Sequence, residues 1–173
     1  MPENTRQIFK GRIVELNIEE HRLPDGRTLD FEMVRHPGGA AILPLLPDGQ
    51  VLLIRQFRPA AGGMLLEIPA GKLEPGEPPE ECVRREIEEE AGYRAGRIEP
   101  LGHMLTAPGF CDEVIHLFVA RDLSPVESRP EPDEYIEVAP LPADEALDMA
   151  LSGRIPDGKT QLALLLARGK GLI

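Results

Sequence analysis

Tryptophan is absent from this 173-residue chain, aromatic residues make up only 4% of it, and there are just two cysteines, Cys82 and Cys111. Two cysteines cannot build a disulfide framework. The opening Met1-Pro-Glu-Asn-Thr-Arg lacks the basic region and apolar run of an export signal. Both absences point to a reduced, cytoplasmic protein. Long apolar runs are missing too: the longest, Ala40 to Leu46 and Leu162 to Ala167, fall far short of the ~20 residues that span a membrane. Basic charge is scarce, with Lys+Arg 19 against Asp+Glu 30 and a net charge of −11. That balance argues against a nucleic-acid partner, whose phosphates must be neutralised by basic side chains. A small anionic substrate held through a cation stays open.

What is present suits one folded domain with a small appendage. Hydrophobic residues at 42% and charged residues at 28% are an ordinary globular mixture, and the length fits a single core. Gly 17 and Pro 18 imply many tight turns. Gly11 to Ile18 and Thr28 to Arg35 alternate as half-buried strands around the turn Pro24-Asp25-Gly26, a hairpin that forms the appendage. Two nearly continuous apolar runs, Ala40 to Leu46 and Val51 to Phe57, flank Pro47-Asp48-Gly49-Gln50 and read as a second hairpin, central and buried on both faces.

A strong helix then starts near Pro78-Pro79, where missing amide protons do no harm, and stops at Gly92. Val83, Ile87 and Ala91 give it one apolar stripe. Strand-like segments follow at Ile98 to Leu105, Val114 to Ala120 and Tyr135 to Ala139, with an acidic, proline-rich stretch at 124–134 and helices at Ala143 to Leu151 and Lys159 to Ala167. This order predicts an α/β fold, a mixed sheet covered by helices.

The first helix carries the chemistry. Glu86 and Glu90 lie one turn apart, with Glu89 beside them, so carboxylates crowd one face near a helix C-terminus, where the macrodipole disfavours negative charge. A hard divalent cation reverses that penalty, and oxygen ligands at this spacing suit Mg²⁺ or Mn²⁺. No serine-histidine-acid signature or glycine-rich nucleotide loop competes with it, and His21, His36, His103 and His116 are too scattered for a metal motif.

Gly71, five residues, Glu77, seven residues, then Arg85-Glu86-Ile87-Glu88-Glu89-Glu90-Ala91-Gly92-Tyr93 resembles the signature of the Nudix hydrolases, with only the aromatic Tyr93 departing from it. The resemblance implies an α/β/α sandwich built on a mixed sheet and hydrolysis of nucleoside diphosphates linked to another moiety. It also implies Glu86 and Glu90 as metal ligands, Glu89 assisting, the Ala70 carbonyl as a further oxygen ligand, and Arg85 orienting the glutamates. Glu77 reads either as a helix-start residue or as a group near the metals, and Cys82 as a packed residue.

Arg55-Gln56-Phe57-Arg58-Pro59-Ala60, Leu66-Glu67-Ile68-Pro69-Ala70-Gly71 and Ala107-Pro108-Gly109-Phe110-Cys111-Asp112-Glu113 are similar to the ADP-ribose pyrophosphatase branch, which places a marker proline where Pro108 stands. By this resemblance Arg58, and less directly Arg55, contact the diphosphate or terminal ribose. Glu67 supports the site from behind, and Phe31 or Arg35 contacts adenine, a base that needs a stacking partner in a chain without tryptophan. A late acidic loop supplies Glu134 on the metal side and either Glu131 or Glu134 as general base, unless the metals themselves chiefly activate the water, with Glu113 as a competing acid. The implied reaction cuts ADP-ribose to AMP and ribose 5-phosphate with two or more ions. The alternatives are another Nudix substrate (GDP-mannose, FAD, a dinucleoside polyphosphate) or an ADP-ribose sensor without catalysis. Such enzymes are commonly homodimers, and residues 1–37 suit the dimerisation role, leaving 38–173 as the hydrolase domain.

Overall fold

The computed structural model describes residues 2–132 and 134–173. Three strands, β1 (Asn4–Lys10), β2 (Glu15–Arg22) and β3 (Thr28–Arg35), form their own antiparallel sheet in the order β1-β2-β3. The expected hairpin is there, but its first strand begins at Glu15. Gly11 to Val14 instead turn the chain from β1 into β2, closed by the Gly11 amide donating to the Val14 carbonyl at 2.9 Å.

Two further sheets make the body. β4 (Gly39–Pro44) lies parallel to β9 (Val114–Pro125) and antiparallel to β7 (Ala70–Lys72), and β8 (Tyr93–Leu105) completes the order β7-β4-β9-β8. β5 (Gln50–Arg58) sits between β10 (Ile136–Pro142) and β6 (Gly63–Glu67). The second expected hairpin is therefore corrected: β4 and β5 share a turn and one bridge, Leu45 to Val51, then part into different sheets. Each is apolar on both faces, so each can be the central strand of its own sheet. β8 and β9 also run longer than their apolar cores suggested, pairing from Leu105–Val114 out to Tyr93–Pro125, because ladder hydrogen bonds carry the polar ends.

Helices cover both faces. Ala40, Ile42 and Leu52 face α1 (Pro79–Ala91), packing on Cys82, Val83, Ile87 and Ala91. Ala41, Leu43, Val51 and Leu53 face α2 (Ala143–Leu151) and α3 (Gly158–Gly169), through Ala146, Ala163 and Leu164. The result is an α/β/α sandwich in which alternate residues of one strand feed opposite cores. Each fully buried aliphatic side chain contributes about 1.5–3 kcal/mol, and Ile87, at 0% exposure, anchors α1 to β4. Among the described residues no helix is long and apolar enough to cross a membrane.

Candidate active site

Three local devices fix α1. Pro79 opens it without a donor to leave unpaired. The turn before it is closed by the Glu77 amide on the Glu74 carbonyl and the Glu74 amide on Glu77 Oε2, both 2.9 Å. Gly92 ends it with φ 69°, a left-handed cap that sends the chain into β8. The carbonyls at the helix end then recruit the following acidic loop: Val126 donates to Gly92, and the Arg129 amide and Ser128 hydroxyl both donate to the Glu89 carbonyl. That docking carries Glu131 and Glu134 back to the helix.

On the helix, Arg85 spans three carboxylates, reaching Glu77 at 3.2 Å, Glu86 at 2.5 Å and Glu89 at 3.1 Å. Of the two readings of Glu77, the geometry shows a residue that closes the turn and anchors Arg85. Burial works against its charge, but Arg85 and the Glu74 amide hold its carboxyl below the usual range. Glu86 and Glu90 are buried, and Glu90 Oε2 accepts from the Ala70 amide at 2.9 Å. Burial pushes Glu86 up to about 7, opposed by Arg85 and reinforced by Glu89 and Glu134. Burial and then the charge of Glu86, with a smaller contribution from Glu134, push Glu90 up to about 9. Beneath them Cys82 is fully buried, with its thiol pushed up to about 12 by desolvation and then by Glu86 and Glu77, as befits a packed residue.

Two adjoining pockets of about 300 and 200 Å³ share Ile13, Arg58, Ala70, Gly71 and Lys72, and the smaller opens over this helix. Glu86, Arg85, Glu131 and Glu134 line one, and His36, Glu113 and Lys159 the other. Gly71 gives the signature its tightest constraint, since a Cβ there would lie 1.7 Å from Glu86 Oε1. Arg58 donates through Nε to Glu67 at 2.8 Å. Burial opposes its charge, yet Glu67, Glu90 and Glu134 hold its pKa above the ordinary value. Glu134 accepts from Gln56 at 3.3 Å and from the Glu131 amide at 3.0 Å. A larger cavity of about 550 Å³ lies at the other end of β4, beside Leu45 and Leu46, where Arg168 is paired with Asp144 and Arg121 with the Leu172 carbonyl. The carboxylate cluster belongs to the smaller groove.

The structure thus gathers Arg58, Ala70, Arg85, Glu86, Glu131 and Glu134 around one groove, with Glu90 beneath it and Glu113 in the adjoining pocket, its Oε1 3.3 Å from His36 Nδ1. Glu89 reaches the cluster through Arg85. Other sequence candidates stand apart. Arg55 is exposed, one residue out of phase with buried Gln56 on β5. Phe31 meets His21 edge-on, ring centroids 5.8 Å apart. Arg35 is bonded to Glu19 and Asp112, and Pro108 is exposed in a loop whose Phe110 carbonyl and Asp112 amide bond to Val34. Sequence reasoning missed Ile13, Lys72 and Lys159, which reach the groove from distant segments.

The residues fit a hard divalent cation. Glu90 Oε1 is buried without a partner, two carboxylates share one desolvated space, and every donor is oxygen. Among the described residues no three His, Cys, Asp or Glu side chains converge closely enough to hold a metal ion by themselves. Mg²⁺ needs only one or two protein carboxylates, since waters and substrate phosphates complete its shell.

Comparison with known proteins agrees with this geometry. The chain is 40% identical over 160 residues to the ADP-ribose pyrophosphatase of Bacillus subtilis (strain 168), covering 91% of this chain and 86% of that protein. It is 41% identical over 148 residues to the GDP-mannose pyrophosphatase of Yersinia enterocolitica serotype O:8 / biotype 1B (strain NCTC 13174 / 8081), covering 80% and 77%. The crystal structure of an ADP compounds hydrolase superposes with a TM-score of 0.84 at 21% identity, covering 100% of this chain and 96% of that one, which establishes the shared fold. The NUDIX domain family matches residues 35–162, and the chain belongs to the Nudix hydrolase family.

Proposed function

We propose that this chain hydrolyses the pyrophosphate of ADP-ribose, yielding AMP and ribose 5-phosphate, in the cytoplasm and with Mg²⁺ or Mn²⁺. The observation that carries the reading is the buried Glu86–Glu90 pair beneath a groove entered by Arg58. Glu86 and Glu90 hold two or more ions, with Glu89, Glu134 and the Ala70 carbonyl as further donors. Those ions supply the positive charge that a diphosphate requires and make water more acidic.

The chain's own groups do the rest. Arg58 binds the diphosphate or terminal ribose, with Arg55 as the second candidate for that contact. Arg85 keeps Glu86 and Glu89 aimed rather than touching substrate. Glu134 or Glu131 takes the proton of the attacking water, with Glu113 as the competing acid. Phe31 or Arg35 meets the adenine, and Pro108 shapes the loop beside it. Residues 1–37 serve a homodimer, a role supported by the outward-facing Ile8 and Phe9 on the wholly exposed β1. Light scattering tests it, and a monomer would contradict it.

GDP-mannose is the competing substrate, supported by the relative that bears that activity. A non-catalytic sensor is disfavoured because binding alone gives no reason to keep so costly a carboxylate cluster. The test is hydrolysis of ADP-ribose, GDP-mannose, FAD and a dinucleoside polyphosphate side by side with Mg²⁺ or Mn²⁺. ADP-ribose turning over fastest supports the proposal. Binding without cleavage of any of the four establishes the sensor.

A further inference from the structure

The first turn of α3 grips the strand that leads into the signature loop. Asp157 caps the helix by accepting from the Thr160 amide at 3.0 Å, and the Thr160 hydroxyl accepts from the Ile68 amide at 2.8 Å. Thr160 is fully buried, so this contact is shielded from water. Between them Lys159, only 11% exposed, bonds both Asp157 and Glu67. Glu67 is itself fully buried and divides its oxygens, Oε1 to Arg58 Nε and Oε2 to Lys159 Nζ. Arg58 Nη1 and Nη2 have no bond to any described residue and belong to a side chain that lines both pockets of the groove.

That division matters because arginine and carboxylate prefer to join through two parallel hydrogen bonds. A Glu67 with both oxygens available would take Arg58 as a fork, through Nε and one terminal nitrogen, and draw that nitrogen away from the groove. A lysine is a compact charge that occupies one oxygen without competing for a plane. We propose that Lys159 is a positioning residue: by holding Glu67 Oε2 it confines Glu67 to a single bond with Arg58 Nε and leaves the terminal nitrogens of Arg58 to a substrate phosphate. The inference rests on the reading of Arg58 as a diphosphate contact and adds what sets that contact's geometry.

The experiment is steady-state kinetics on ADP-ribose with Mg²⁺ for Lys159→Met, Lys159→Arg, Glu67→Gln, the Glu67→Gln/Lys159→Met double variant and Arg58→Ala. Lys159→Met is expected to raise KM roughly tenfold, the cost of one charge-assisted contact, with kcat within about twofold of wild type. Lys159→Arg raises KM as well, because a guanidinium at that position competes with Arg58 for both Glu67 oxygens. In the Glu67→Gln background Lys159→Met adds nothing, because its effect runs through Glu67. If Lys159→Met alone fails to fold, Lys159→Arg carries the test, and a wild-type KM in that variant overturns the inference. A KM raised by Arg58→Ala but not by Lys159→Met overturns this inference alone, as does a Lys159→Met penalty undiminished in the Glu67→Gln background. A KM unchanged in Arg58→Ala overturns the reading of Arg58 together with it.

Discussion

Gly71 and Glu86 interlock: the place where any other residue would carry its Cβ is 1.7 Å from the Glu86 carboxylate oxygen. The glycine that opens the signature is thus fixed by a steric demand from the glutamate that follows it in space. Gly71→Ala must push Glu86 off its position or shift β7. Overpacking of this kind costs about 1–3 kcal/mol, and the displaced carboxylate lowers kcat by about a hundredfold. Thermal melting and a kcat measurement check both numbers, and an alanine variant with wild-type kcat would show that Glu86 need not stand where it does.

Cation removal should be visible without any substrate. A ligand present at a hundred times its dissociation constant stabilises by about 2.7 kcal/mol, which for a chain of this size raises Tm by roughly 5–10 °C. Melting with excess Mg²⁺ against melting in EDTA is expected to show that shift. Glu90→Gln should abolish most of it, while in EDTA the variant melts no lower than wild type, because it removes the cost of protonating a carboxyl whose burial and whose neighbour Glu86 disfavour its charge.

Glu19 ties the amino-terminal sheet to the loop at Asp112 through Arg35, which bonds both residues. The bond to Arg35 holds the Glu19 carboxyl below its ordinary range, with burial working the other way and His21 adding to the lowering. A depressed folded-state pKa means that the native state binds fewer protons than the unfolded one. The stabilisation is therefore complete above the unfolded value of about 4.3 and is lost as pH falls through the lower folded value. Glu19→Gln should cost about 2 kcal/mol at neutral pH. Urea melts should show that difference holding down to about pH 5 and shrinking below it. A difference that does not change with pH would mean that Glu19 acts through packing alone.

The acidic helix was legible in the sequence because its logic is local. Glu86, Glu89 and Glu90 share a face through spacings of three and four residues, and Pro79 and Gly92 mark the helix ends by their backbone chemistry. β4 and β5 were legible as buried strands but not as members of different sheets, since a run apolar on both faces carries no record of its neighbours. Ile13, Lys72 and Lys159 were not legible as groove residues, because the Glu67–Lys159 and Ile68–Thr160 contacts join segments 92 positions apart. One cue was available: Asp157 precedes a helix whose third residue is threonine, an N-cap pattern that fixes where α3 begins.

The most direct test of the central claim, that the Glu86–Glu90 pair supports metal-dependent cleavage of a nucleoside diphosphate sugar, is the rate of ADP-ribose hydrolysis by wild type, Glu86→Gln and Glu90→Gln in Mg²⁺, with AMP and ribose 5-phosphate quantified. Loss of at least about a hundredfold in kcat in both variants, with the fold intact by melting, is the expected result. Undiminished AMP release from either variant would contradict the account.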